Sequence, residues 1–163
     1  MQFFKNQKGF SILEVVLAMS LLAILMGIAT INLFTATNKT YQSTAASTLY
    51  SDLKSQQIKA MNGDTDGTGT TGAYGVYFQP TQYVLFRGAT YSASNTTNFA
   101  VKIPDDVNFA NILFPNSQII FASGSGEFAN FATGKNSVII NNVAGGLGGK
   151  TVTLNRFGVV ISN

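Results

Sequence analysis

The chain is 163 residues long, enough for one domain with a sizeable core, yet only 10% of it is charged where soluble chains average about 25%. Polarity comes instead from 17 Thr, 15 Asn and 13 Ser, and the net charge of +3 is too small to argue for a nucleic-acid partner. With no Cys and no His, disulfides, thiolate or imidazole metal sites, cysteine nucleophiles and Ser-His-Asp triads are all excluded, so the composition argues against an enzyme and implies no cofactor.

Residues 1–9 carry Lys5 and Lys8, the only charges before Glu14, and the next ionisable side chain is Lys39. The 24 residues between Glu14 and Lys39 contain an apolar run at 15–34, interrupted only by Ser20, Gly27, Thr30 and Asn32. A bilayer needs about 20 mostly apolar residues in a helix, so residues 15–34 are expected to span one. The positive N-terminal side places residues 1–9 in the cytoplasm and the remainder outside, a single-pass N-in, C-out topology. A cleaved secretory signal would have a shorter apolar region. Neither that nor a plain signal anchor gives a reason for Glu14, whose carboxylate at the edge of the apolar run calls for a cationic partner.

Lys8-Gly9-Phe10-Ser11-Ile12-Leu13-Glu14 followed by an apolar run resembles the processing site of type IV prepilins and pseudopilins. The resemblance implies that a prepilin peptidase cuts between Gly9 and Phe10, releasing residues 1–9 as a leader, and that Phe10 becomes the N-methylated first residue. It also implies an assembly role for Glu14, paired with the N-terminal amine of a neighbouring subunit. That amine would be the missing cation, with each charge neutralising the other in an apolar filament core. Losing Lys5 and Lys8 leaves eight basic and seven acidic side chains, a nearly neutral mature chain. Many members of this family carry a proline in the apolar half, whereas here Gly27 is the one internal weak point, suited to close helix packing.

Further along, Tyr41, Ala45, Leu49 and Leu53 recur every four residues, Ala60 and Met61 extend the stripe, and no proline occurs from Phe10 to Met61. One helix over residues 10–61 is expected, about 75 Å long, with the stripe in the core of a head domain. The glycine- and aspartate-rich stretch after Asn62 cannot sustain a helix. Beyond it, 73–78 and 82–87 read as a hairpin around Gln79-Pro80-Thr81, with further strands near 99–103, 119–122, 138–141, 151–154 and 159–161. At 99–103, alternation places Phe99, Val101 and Ile103 on one face. The expected class is therefore α+β: a long N-terminal transmembrane and spine helix packed on a small, mostly antiparallel β head at 62–163. The hairpin Tyr74-Gly75-Val76-Tyr77-Phe78 with Tyr83 to Phe86, and a closing hairpin over 150–160, are similar to minor pseudopilins of the H type and their pilus counterparts.

Three other constellations are weighed against plainer readings. Ala144-Gly145-Gly146-Leu147-Gly148-Gly149-Lys150-Thr151 fits a relaxed P-loop, but Val-Thr-Leu follows where a helix is required, so a hairpin loop is expected. Asp64-Thr65-Asp66-Gly67 copies the start of a calcium loop but has Gly75 where the bidentate glutamate belongs, leaving Asp64 and Asp66 as weak calcium candidates beside a solvated turn. Lys150 and Arg156 are too few cations for a DNA surface.

The function this implies is a structural, assembly-competent subunit, minor rather than abundant, of a type IV pilus or type II secretion pseudopilus. Its partners would be other pilin or pseudopilin subunits, the prepilin peptidase and a membrane assembly platform. The alternative is a membrane-anchored extracytoplasmic binding module that recognises a ligand, a surface or DNA for uptake. Exposed Tyr74, Tyr77 and Tyr91 would favour it.

Overall fold

The computed structural model describes residues 9–143 and 148–162, apart from the side chains of residues 31–35, 38 and 162. The expected leader 1–9 therefore lies outside the described residues except for Gly9. The chain divides into two compact units, Met1–Thr37 and Asn38–Asn163.

Helix α1 runs unbroken over Ile12–Met61, 50 residues. Absence of proline allows the length, and local chemistry sets both ends. It stops at Gly63, whose positive φ of 64° lets its own N–H reach Ala60 O at 3.3 Å while Asp64 N–H reaches Lys59 O at 3.0 Å. Those paired bonds satisfy carbonyls that the last turn would otherwise leave bare.

In the first unit α1 is an isolated apolar rod: from Ile12 to Ile28 its large side chains are exposed around the whole circumference. Its hydroxyls are turned back onto the helix, Ser20 donating to Leu17 O at 2.8 Å and Thr30 to Met26 O at 2.7 Å. That leaves apolar surface facing outward, as lipid or a helix bundle requires.

In the second unit, the rest of α1 packs on two four-stranded antiparallel sheets. Strands β1 (Tyr74–Gln79), β2 (Gln82–Arg87), β3 (Phe99–Lys102) and β5 (Gln118–Phe121) form one, in the order β3-β2-β1-β5. Strands β4 (Val107–Ala110), β6 (Ser137–Asn142), β7 (Lys150–Leu154) and β8 (Val160–Ser162) form the other, in the order β4-β6-β7-β8. The core joins Ala45, Ala46, Leu49, Leu53 and Ala60 of α1 to Val76, Phe78, Ile119 and Phe121 of the first sheet and Val138, Ile140, Val152 and Leu154 of the second. Alanines on the buried helix face let its backbone approach the strands, and the aromatic side chains Phe78, Tyr83, Phe109 and Phe114 fill the space between.

The α+β class, the hairpin and the helix are as expected, with differences of detail. The hairpin loop is shorter by one residue because Gln79 pairs with Gln82, leaving Pro80 and Thr81 to turn the chain. Their carbonyls accept from Phe109 (2.8 Å) and Ile103 (3.3 Å). Strand β4 was not anticipated. The stripe's ends are not core: Tyr41 and Met61 are exposed, and Gln42 and Gln57 take buried positions on the helix instead. Phe99 is 66% exposed although Val101 is half-buried and Ile103 buried, because β3 is an edge strand and Phe99 borders an open cavity.

Candidate assembly site

Gly9 and Phe10 lie in non-helical backbone immediately before α1, and Phe10 is 81% exposed. Ser11 is the cap. Its Oγ accepts the Glu14 N–H at 3.2 Å, and its carbonyl accepts from Glu14 at 3.1 Å and Val15 at 3.2 Å. The signal for it stands in the sequence as Ser-x-x-Glu, the pattern of a capping box, which went unread beside the processing motif. Glu14 thus sits in the first helical turn, where the positive end of the helix favours a carboxylate. It is exposed and has no ionic partner among the described residues.

Behind Glu14, the stretch Ile12–Thr30 is long and apolar enough to cross a membrane, and none of it is buried within the molecule. This window starts and ends slightly earlier than the expected 15–34. An apolar surface of this extent cannot stay in water, so the segment needs lipid, like helices, or each in turn. What the arrangement offers is an exposed, non-helical Gly9-Phe10 peptide and one carboxylate at the head of an apolar rod.

The remaining candidates resolve into structure. Asp64 Oδ1 accepts the Asp66 N–H at 2.9 Å, a local turn, and Asp64 O accepts the Tyr74 hydroxyl at 3.1 Å. Gly75 pairs with Phe86 and Ile120 inside the sheet, far from any twelfth-ligand role, and no group of three or more metal-ligating side chains occurs among the described residues. Residues 144–147 of the glycine-rich stretch lie outside the described residues, whereas Lys150 and Thr151 open β7, pairing with Ile140 and Ile139. Arg156 sits in the β7–β8 turn, its carbonyl accepting Phe128 N–H at 3.1 Å. Of the three tyrosines, Tyr74 is buried, while half-buried Tyr77 and Tyr91 stack on each other with centroids 4.1 Å apart and planes 4° from parallel.

Sequence reasoning missed the polar ties of the second unit. Gln42 Nε2 donates to Ile140 O (2.6 Å) and Gly148 O (3.1 Å), and Gln57 Nε2 donates to Gly126 O (2.9 Å) and Phe157 O (2.8 Å). The Tyr83 hydroxyl donates to Asp52 Oδ2 at 2.5 Å. Burial, reinforced by that bond and by the carboxylate's charge, pushes the Tyr83 hydroxyl well above the ordinary tyrosine range.

A family model for the prokaryotic N-terminal methylation motif matches residues 4–30. No curated protein and no solved structure matches the chain.

Proposed function

We propose that this chain, which carries the N-terminal methylation motif of type IV prepilins and pseudopilins, is a minor structural subunit that is cut between Gly9 and Phe10 and polymerised through its apolar helix. Residues 1–9 are the leader, 10–61 the spine helix and 62–163 an extracytoplasmic head. Lys5 and Lys8 hold the leader in the cytoplasm while residues 15–34 cross the inner membrane once. The prepilin peptidase frees the Phe10 amine, an assembly platform draws the helix from lipid into a bundle of like helices, and Glu14 takes a neighbour's Phe10 ammonium as its partner. The antiparallel hairpin β1–β2 and the closing hairpin β7–β8 support an H-type minor subunit.

The observation that carries this reading is the apolar helix exposed on every side directly behind a single carboxylate that has no ionic partner among the described residues. An anchor needs the first and has no use for the second. Glu14→Ala separates the two. In a protein that only sits in the membrane, removing a costly carboxylate is neutral or favourable to insertion. In a filament it strands the neighbour's ammonium, and breaking one side of a buried pair costs about 3–5 kcal/mol. The ratio of sheared-filament to membrane-bound protein is therefore expected to fall sharply for Glu14→Ala. Intact mass must first show a Phe10 start in both proteins. An unchanged ratio would favour the anchored binding module, and a mass corresponding to Met1 in the wild type would remove the processing premise itself.

A further inference from the structure

Within the second unit, a cavity of about 310 Å³ opens between α1 and the β2–β3 edge of the first sheet. Gln56 and Lys59 of α1 line one side; Tyr74, Arg87 and Phe99, each at the end of its strand, line the other, with Asp66 contributed by the loop after α1.

Four features set it apart from an ordinary surface hollow. Gln56 is only 4% exposed, and its Oε1 is buried without a hydrogen-bond partner. A buried acceptor left unpaired keeps its full desolvation cost, which a donor entering the cavity would relieve. Arg87 is likewise incompletely used: its Nη2 donates to the Thr70 carbonyl, but its Nε is buried with no acceptor. Lys59 Nζ stands 5.6 Å from the centroid of the Tyr74 ring and has no carboxylate partner among the described residues. Finally, Phe99 presents an exposed aromatic face at the rim, on a strand whose alternation would otherwise have turned it inward.

Together these groups specify a ligand. The unused Arg87 donor and the Lys59 ammonium call for an anionic acceptor, and Gln56 Oε1 calls for a neutral donor such as a hydroxyl. Asp66 on the wall and Asp64 beside Tyr74 offset these two cations overall, so it is the local donors of Lys59 and Arg87, not a net charge, that select a carboxylate. The exposed Phe99 ring suits the C–H face of a pyranose. We propose that this cavity binds a polyhydroxylated monocarboxylate of the hexuronate class, its carboxylate toward Lys59 and Arg87, a hydroxyl on Gln56 and its ring over Phe99. The inference is independent of whether the chain polymerises.

The test uses the full chain in lipid nanodiscs, titrated at constant ionic strength with sodium D-glucuronate, D-glucose and propionate, following the amide resonances of Gln56, Lys59, Arg87 and Phe99. Glucuronate is expected to bind saturably, at least about tenfold more tightly than either control. Gln56→Leu keeps the side chain's bulk and removes the orphaned acceptor, so it should leave the fold at least as stable while bringing glucuronate down to the affinity of propionate. Phe99→Ser changes an exposed ring and should weaken glucuronate about fivefold or more with propionate unaffected. Equal binding of glucose or propionate, glucuronate binding that survives Gln56→Leu, or no saturable shift would each overturn the proposal.

Discussion

Ser11 and Glu14 share one helical turn and divide its work, one closing the helix start and the other charging it. Ser11→Ala deletes the acceptor for the Glu14 N–H, a cap worth about 1 kcal/mol. Hydrogen exchange at the Glu14 amide should accelerate about fivefold, with Ser11→Asp restoring protection and residues beyond the first turn unaffected. Tyrosine hydroxyls raised by burial, Tyr83 ahead of Tyr74, govern alkaline stability. Tyr83 stays protonated in the fold while an unfolded tyrosine ionises near pH 10. A raised folded pKa contributes stability that is complete below about pH 10 and is lost as pH rises beyond it, because only the unfolded chain then releases the proton. Urea midpoints measured from pH 8 to pH 11 should therefore drop above pH 10, and Tyr83→Phe should flatten that drop while costing about 1 kcal/mol at neutral pH for the lost bond to Asp52.

At the scale of elements, α1 depends on polar ties as well as on its alanine and leucine face. Gln57 supplies both of its amide hydrogens to the carbonyls of Gly126 and Phe157. Replacing it by Ala leaves those carbonyls without that donor and should lower stability by about 2–3 kcal/mol in urea denaturation, against little change for the exposed neighbour Ile58→Ala. The helix and most strands were legible beforehand because they have strong local causes: a charge-free run, no proline, and aromatic or β-branched runs between glycine and asparagine clusters. Strand β4 was not, since Val107-Asn108-Phe109-Ala110 directly follows Pro104-Asp105-Asp106 and is only four residues long. Its alternation becomes evident only once β6 is seen beside it, burying Val107 and Phe109. Glutamines 42, 56 and 57 were illegible for a different reason. On a helix they read as solvated, and the carbonyls that bury Gln42 and Gln57 lie 69 to 106 residues further along the chain. The processing motif was readable because it is contiguous, whereas the cavity beside Gln56 is assembled from five separate segments.

For the molecule as a whole, every core side chain from Ala45 to Leu154 belongs to the unit Asn38–Asn163. A fragment beginning at Thr37 should fold, remain soluble and run as a monomer in chromatography with light scattering, because it lacks the exposed apolar rod. Aggregation despite a folded β spectrum would place a second assembly surface on the head. That unit is not divisible further: β4 joins the second sheet before the chain returns to the first for β5, so cutting after either sheet strands a strand of the other. The glutamine ties also give this unit a mechanical character. Gln42 and Gln57 stand 15 positions apart on α1, about 22 Å, and each grips carbonyls of the β-rich part. Tension carried along the helix axis loads both grips at once, in shear, so neither can yield ahead of the other as the teeth of a zipper do. A subunit hauled by its helix would thus bring its β domain along as one rigid load.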